Sequence, residues 1–135
     1  MLNVMVEHEQ GAQSVAVIRL EGELDQSNFL DVINRARELR EGGTRNVVLD
    51  LTELSYMGSS GVFALRSIAI VLSGDEPPDP EDGWGAIHEL EGRSADTSRV
   101  KILNPQPSVD RVLDRTGMKR YFETFTDRAA AIAAF

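Results

Sequence analysis

Two adjacent serines, Ser59 and Ser60, stand between Gly58 and Gly61 and carry the hydroxyl groups whose setting points most directly to chemistry. They follow an apolar, β-branched run and precede a helical pattern, so they occupy a predicted strand-to-helix turn. Three roles suit hydroxyls at such a turn: a catalytic nucleophile, a helix cap, and an acceptor for a phosphoryl group.

The nucleophile role does not fit the surrounding residues. A nucleophile elbow requires the pattern G-x-S-x-G, and around Ser60 that pattern would place its last glycine at Val62. A serine nucleophile also needs a base, yet the two histidines are His8, at the end of the first predicted strand, and His88, in a predicted loop. The sequence therefore predicts no catalytic residue and no enzyme activity.

The cap and the phosphoryl acceptor both remain open. As a cap, Ser59 or Ser60 would accept a hydrogen bond from an amide of the first helical turn, worth about 1 kcal/mol. A phosphoryl group at the same place would add a charge of about −1.5 to −2, which the helix N-terminus stabilises locally but a docked partner tolerates poorly. In that case the phosphate would change binding and leave the fold intact.

Length and composition limit the classes of protein that fit. The chain has 135 residues, the size of one domain, with 22 acidic and 14 basic residues and a formal net charge of −8. This charge disfavours nucleic acid and anionic membranes, and the lack of cysteine excludes disulfides and thiolate metal sites. The most apolar stretch is interrupted by Arg66 and is too short to span a bilayer. We expect a cytoplasmic protein with no membrane insertion, no nucleic-acid partner, no metal and no cofactor.

The elements that must position the serine turn follow from hydrophobic periodicity and turn residues. The pattern predicts an α/β fold in one domain, 1–135, with a mixed β-sheet of four to five strands packed against about four helices. Predicted strands cover 2–7, 14–20, 46–51 and 100–103, and 121–122 forms a short strand or packing segment. Four helices are predicted: the first follows 25–27, the second begins at Ser59 or Ser60, the third at Ser108 and the fourth at Asp127.

An acidic insertion rich in proline and glycine is predicted at about 73–98, after the second helix. Within it, Trp84 is flanked by two glycines and either docks on the domain or stays exposed as an anchor for a partner. The insertion is close enough in the chain to the serine turn to modify a partner surface there.

Three motifs in order make the chain resemble a known family. They are LEGELD at 20–25, VVLDLTELSYMGSSG at 47–61, and Asn104-Pro105 followed by VDRVLDRTG at 109–117. Together they are similar to a STAS domain, as found in bacterial anti-sigma factor antagonists. The resemblance runs from about residue 2 to the end of the chain, apart from the insertion at 73–98.

The resemblance implies a function in the regulation of transcription. Family members bind a cognate anti-sigma factor, which is a serine kinase, and so free a sigma factor; phosphorylation by that kinase abolishes binding. Carried over by position, the phosphorylated residue would be Ser59, with Ser60 as the second choice, and a dimer is possible. The residues implied to contact the partner are Glu23, Asp25, Tyr56, Met57, Gly58, Ser59, Ser60, Gly61 and Val62.

Several alternatives stay open beside this reading. Asp25 also suits a cap for the first helix, and Tyr56 and Met57 also suit the core. Gly58 stands where the family usually has aspartate, which suggests a constitutive, non-phosphorylated STAS scaffold as the alternative function. A STAS domain that senses a small molecule is less favoured, because neither glycine-rich phosphate-binding pattern occurs.

Overall fold

Six strands and four α-helices make up the regular structure of the described residues, which are 2–9, 14–79, 81, 85 and 96–135 of this computed structural model. The strands are β1 (Leu2–Glu9), β2 (Val15–Leu24), β3 (Asn46–Asp50), β4 (Leu54–Met57), β5 (Val100–Leu103) and β6 (Thr124–Phe125). The α-helices are α1 (Phe29–Glu41), α2 (Ser59–Leu72), α3 (Pro107–Arg115) and α4 (Arg128–Ala133). The α/β class and the mixed sheet with four helices are confirmed.

The strands form one mixed sheet in the order β1-β2-β3-β5-β6, with β4 paired to β2 beyond the end of β3. β1 and β2 are antiparallel, as the alternating pattern predicts, and all the other pairs are parallel. β2 is long enough to pair with β3 along its first half and with β4 along its last residues. The pairing shifts register between Gly22 and Glu23, and Gly22 has a φ of 109°, a conformation that favours glycine.

The main core lies between one face of the sheet and the helices α1, α2 and α3. Successive residues of a strand point to opposite faces, so Ala16 and Ile18 belong to this core while Val15 and Val17 pack on α4 at the other face. β3 is buried along its whole length, as expected for a central strand covered on both faces. None of the helices in the described part of the chain is long and apolar enough to cross a membrane.

Two details differ from the predicted elements. The strand β4 was not predicted, and the sheet therefore has six strands in the described residues where four to five were expected. The last strand is Thr124–Phe125, whereas Phe122 is 1% exposed and packs in the main core and Tyr121 is 55% exposed. The segment at 121–122 is thus a packing segment, and the strand comes directly after it.

The predicted insertion at 73–98 falls partly within the described residues. Residues 73–79 follow α2, and a short 3₁₀ helix, Thr97–Arg99, leads into β5. Pro80, residues 82–84 with Trp84, and residues 86–95 with His88 lie outside the described residues. The two roles proposed for Trp84 therefore stay predictions.

Candidate functional site

The serine turn joins β4 to α2 at the edge of the sheet where β2 also ends. Leu24, the last residue of β2, stands beside Met57, the last residue of β4, and its carbonyl accepts a 3.0 Å hydrogen bond from the amide of Gly58. The amide of Gly61 in turn donates to the carbonyl of Gly58 at 2.9 Å. The backbone of the turn is therefore fixed to the sheet just before the helix begins.

Neither serine caps α2. The N-cap is Gly58, which has an extended backbone (φ −88°, ψ −175°), and Ser59 and Ser60 are the first two residues of the helix. In the part of the chain that the structure describes, no side chain caps this helix, so the capping interpretation of the serines is wrong. Ser59 is exposed and its hydroxyl has no hydrogen-bond partner among the described residues; Ser60 is half-buried. Ser59 is thus the more accessible of the two hydroxyls.

The N-terminus of α2 favours an anion on Ser59. The first turn of α2 contains no acidic residue, and the unpaired amides at a helix N-terminus carry partial positive charge. A phosphoryl group on Ser59 would lie next to these amides at the start of a 14-residue helix. The predicted phosphorylation site is therefore compatible with the fold at this position.

Tyr56 covers the turn from the side of β4. It is 51% exposed, and its ring and hydroxyl lie next to Gly58. In the sheet, Tyr56 stands opposite Glu23, which is also exposed. The structure thus brings Glu23, Tyr56 and Ser59 to one edge of the sheet, and Tyr56 is not a core residue.

Met57 and Gly61 lie beneath the turn. Met57 is 2% exposed and belongs to the main core, as its alternative interpretation predicted. Gly61 is buried against it: a Cβ on Gly61 would stand 2.5 Å from Cγ of Met57 and 3.1 Å from Cδ2 of Leu24. Gly61 is needed because α2 passes this close to the sheet. Val62, the next residue, is half-buried and packs against the core.

Asp25 shapes the turn between β2 and α1. Its Oδ1 accepts hydrogen bonds from the amide of Ser27 at 2.9 Å and from its hydroxyl at 2.6 Å, and these bonds hold the pKa of the Asp25 carboxyl below its ordinary value. The N-cap of α1 is Asn28, whose side chain accepts from the Asp25 amide and donates to the carbonyl of Glu23. The interpretation of Asp25 as a helix cap is therefore wrong. Asp25 is a half-buried, ionised turn residue at the same edge as Glu23.

Three apolar residues near the turn were missed by the sequence analysis. Phe29 and Phe63, on α1 and α2, meet edge to face with ring centroids 6.0 Å apart, and both are only half-buried. Leu30, beside Phe29, is 44% exposed. The signal in the sequence was the pair Phe29-Leu30, which puts apolar residues on two faces at the start of an amphipathic helix.

Neither a metal-binding cluster nor a histidine lies at this edge in the part of the chain that the structure describes. Within residues 2–9, 14–79, 81, 85 and 96–135, no group of three or more histidine, aspartate or glutamate side chains is arranged to hold a metal ion. His8 lies on β1 opposite Ala16, away from the end of β2 where the turn is attached. What the structure shows at this edge is an accessible hydroxyl, that of Ser59, beside the exposed side chains of Glu23 and Tyr56.

Comparison with known families and structures agrees with this fold. The model of the STAS domain family matches residues 3–72, which include β1 to α2 and the serine turn. No curated protein matches the sequence significantly.

Solved structures of similar fold include three that cover nearly the whole chain. An anti-sigma factor antagonist from Mycobacterium paratuberculosis has a TM-score of 0.66 at 16% identity, over 99% of this chain and 93% of that one. The anti-sigma factor antagonist SpoIIAA in its unphosphorylated form has a TM-score of 0.57 at 24% identity, over 93% and 92%. The Bacillus cell fate determinant SpoIIAA in its phosphorylated form has a TM-score of 0.54 at 23% identity, over 97% and 100%. At these identities the likeness establishes the fold.

Proposed function

Because the chain belongs to the STAS domain family, we propose that it is an anti-sigma factor antagonist of the bacterial cytoplasm. In this proposal it is a non-enzymatic protein that binds an anti-sigma factor with serine kinase activity and so frees a sigma factor for transcription. Phosphorylation of Ser59 by that kinase ends the binding. The names of the structural neighbours support the general role.

The observation that carries the proposal is the exposed, unbonded hydroxyl of Ser59 at the first position of α2. A kinase needs a hydroxyl that it can reach, and a regulatory phosphate needs a position that the fold tolerates. Ser59 meets both needs, since the helix N-terminus stabilises the added charge. The half-buried Ser60 is a less accessible acceptor and stays the second choice.

The proposed binding surface consists of the exposed and half-buried groups around Ser59. Glu23, Asp25, Tyr56 and Val62 surround the turn, and we add Leu30 and the half-buried Phe29–Phe63 pair to it. A partner that covers this surface would bury Ser59, so a phosphate there would have to be desolvated among existing acidic residues. This gives a physical reason for phosphorylation to oppose binding.

The constitutive scaffold is the second candidate function, and Gly58 is the observation that favours it. A carboxylate at residue 58, usual in the family, would stand next to the acceptor hydroxyl, and here the side chain of Tyr56 lies in that place. In a constitutive protein the same surface would bind its partner in all conditions.

Intact mass and phosphopeptide mapping would separate the two candidates. The protein is purified from its native cells during growth and under stress, and the modified residue is identified. We expect one phosphate on Ser59 whose occupancy changes with condition. A phosphate confined to Ser60 would move the switch by one residue. The absence of phosphate from both serines in both conditions would favour the scaffold.

A further inference from the structure

A groove of about 240 Å³ lies beside the serine turn, between β4 and α3. Its lining residues are Tyr56, Met57, Ser108, Arg111, Val112 and Arg115. Tyr56 is common to this groove and to the surface around Ser59, because its ring also lies against Gly58. The groove therefore continues the proposed binding surface at Tyr56.

Side-chain to backbone hydrogen bonds hold α3 against β4 and so fix the groove. The hydroxyl of Ser108 donates to the carbonyl of Ser55 at 2.9 Å, and the side-chain amide of Gln106 donates to the carbonyl of Thr52 at 2.8 Å. The helix is also anchored below by Val109, which is fully buried in the main core. These contacts give the groove a shape that does not depend on a ligand.

The two arginines of the groove stand one helical turn apart on α3. Residues at i and i+4 of a helix lie on the same face, so Arg111 and Arg115 present two guanidinium groups side by side. Neither forms an ion pair with any described residue, whereas Asp110 on the same helix pairs with Lys119 at 2.8 Å. Arg111 donates a weak hydrogen bond from Nε to the carbonyl of Pro107 at 3.4 Å. In a chain of net charge −8 this is a local basic site.

We infer that this groove binds an acidic segment of the protein partner. An apolar side chain of that segment would pack against Val112, and its carboxylates would bind Arg111 and Arg115. The inference rests on the proposed function, because the groove shares Tyr56 with the surface that the partner would cover. Arginine is suited to this role since its planar guanidinium binds carboxylates in a bidentate manner and stays charged. The apolar lining residues, Met57 and Val112, add a selectivity for peptides with an apolar side chain that charge alone would not provide.

The charge of the chain argues against a second copy as the occupant. Two copies would each bring a net charge of −8, so their approach is opposed by long-range repulsion. A free inorganic anion would reach the arginines but would leave the side chains of Tyr56 and Val112 uncovered. An acidic peptide with an apolar residue satisfies both parts of the groove.

The test uses the full chain, labelled with ¹⁵N, and a short end-capped peptide in which one leucine is flanked by glutamates. Its analogue with glutamine in place of glutamate serves as the neutral probe. We expect the acidic peptide to shift the amide signals of Tyr56, Arg111 and Val112 at low salt, and the neutral analogue to leave them in place. Arg111→Gln with Arg115→Gln should weaken peptide binding about tenfold.

The matched control replaces two exposed arginines elsewhere, Arg35→Gln with Arg45→Gln, which removes the same charge and should leave the affinity within about twofold. Equal weakening by both pairs, or no shifts at the groove, would overturn the inference. The same shifts with inorganic phosphate alone would show an anion site instead, and a dimer that the groove variants dissociate would show a second copy as the occupant. Peptide binding without any phosphate on Ser59 in cells would support the groove while the proposed switch fails, so the two failures are distinguishable.

Discussion

The hydroxyl oxygen of Tyr56 lies 3.2 Å from the place that a Cβ on Gly58 would take, and two of its ring carbons follow at 3.5 and 3.7 Å. One side chain thus occupies the space beside the serine turn and also lines the groove between β4 and α3. A change at residue 58 must therefore act on both parts of the surface. Tyr56 is 51% exposed as a residue.

Gly58→Asp is expected to be tolerated by the fold and to alter the switch. The backbone of Gly58 is extended, as an N-cap residue requires, and aspartate in place of glycine at an N-cap changes the free energy of unfolding by only a few tenths of a kcal/mol. Urea denaturation measures this stability. If the protein is a constitutive scaffold, Gly58→Asp should raise phosphoryl transfer to Ser59 by a purified family kinase at least about tenfold, the gain expected of a positioned carboxylate.

Tyr56→Phe provides the control for that experiment. Phenylalanine removes the hydroxyl that a residue at position 58 would meet and keeps the ring. If Gly58→Asp acted only by displacing Tyr56, the double variant would lose the gain in phosphoryl transfer. Rapid phosphorylation of the unchanged protein would exclude the scaffold alternative altogether.

Gly61→Ala is expected to destabilise the chain, although alanine is the better helix former. A methyl group here would meet Cγ of Met57 at 2.5 Å, and Leu24 lies behind it, so the start of α2 would have to move off the sheet. Overpacking of this kind costs about 1–3 kcal/mol, against a gain of about 1 kcal/mol in helix propensity. We expect a net loss of up to about 2 kcal/mol in the free energy of unfolding, measured in urea.

The control for Gly61→Ala is Gly42→Ala, at the end of α1. Gly42 has an ordinary φ of −78°, and a Cβ there would have no contact closer than 3.4 Å. Alanine at this position should leave the stability unchanged or raise it by less than about 1 kcal/mol. Equal losses in the two variants would show that the close approach of Gly61 to Met57 is not what requires glycine.

Much of the fold could be predicted from the sequence because its elements have clear periods. The alternation in β1, the antiparallel pairing of β1 with β2 and the apolar run of β3 have local causes, and the structure confirms them. β2 is buried at successive residues along its first half, because both faces of the sheet are covered there. β4 escaped prediction because its four residues bury only Leu54 and Met57, and its pairing with β2 depends on the register shift at Gly22. That shift is a tertiary feature, and a single strand pattern does not contain it.

The candidate site was predicted in place but not in detail. The turn and the exposure of Ser59 follow from the strand-to-helix boundary and the small residues around it. The N-cap was misassigned because the backbone stays extended at Gly58, directly after β4, so that both serines fall inside the helix. Arg111 and Arg115 gave no functional signal of their own, since only the packing of α3 on β4 brings them beside Tyr56.

Ser27→Ala is expected to raise the pKa of Asp25, because both hydrogen bonds that lower it come from Ser27 and the hydroxyl would be lost. A pKa that is lowered in the folded state stabilises the fold at every pH above the ordinary, unfolded-state pKa. This contribution is lost as the pH falls through the folded-state pKa. The stability difference between the variant and the unchanged chain should therefore be present at neutral pH and vanish in acid. NMR titration of the Asp25 carboxyl carbon measures the shift.

Ser98→Ala is the matched control for the pH experiment. Asp96 accepts the same pair of hydrogen bonds from the amide and hydroxyl of Ser98, and its pKa is lowered for the same reason. Ser98→Ala should raise the pKa of Asp96 and leave the titration of Asp25 unchanged. A pKa of Asp25 that does not respond to Ser27→Ala would contradict the assignment.

Leu30→Ser tests whether the apolar patch near the turn belongs to the binding surface. Leu30 is 44% exposed, so its truncation should change the stability by less than about 1 kcal/mol. If a partner covers it together with Phe29 and Phe63, its loss should weaken binding to the anti-sigma factor about fivefold or more, by isothermal titration calorimetry. Met5→Ser is the control, because Met5 is similarly exposed at 40% but lies on β1. Equal effects of the two variants would remove Leu30 from the surface.

Ser59→Asp should separate binding from folding. An acidic residue in the first turn of α2 interacts favourably with the helix N-terminus, so the stability should stay level or rise by a few tenths of a kcal/mol. Affinity for the anti-sigma factor should fall at least about tenfold, because the new charge is desolvated in the complex near Glu23 and Asp25. Asparagine has nearly the same size as aspartate but no charge, so Ser59→Asn should keep the affinity within about threefold. Equal losses of affinity in the two variants would mean that the partner is sensitive to the size of the side chain at residue 59 and not to its charge. Unchanged binding in both would place Ser59 outside the interface.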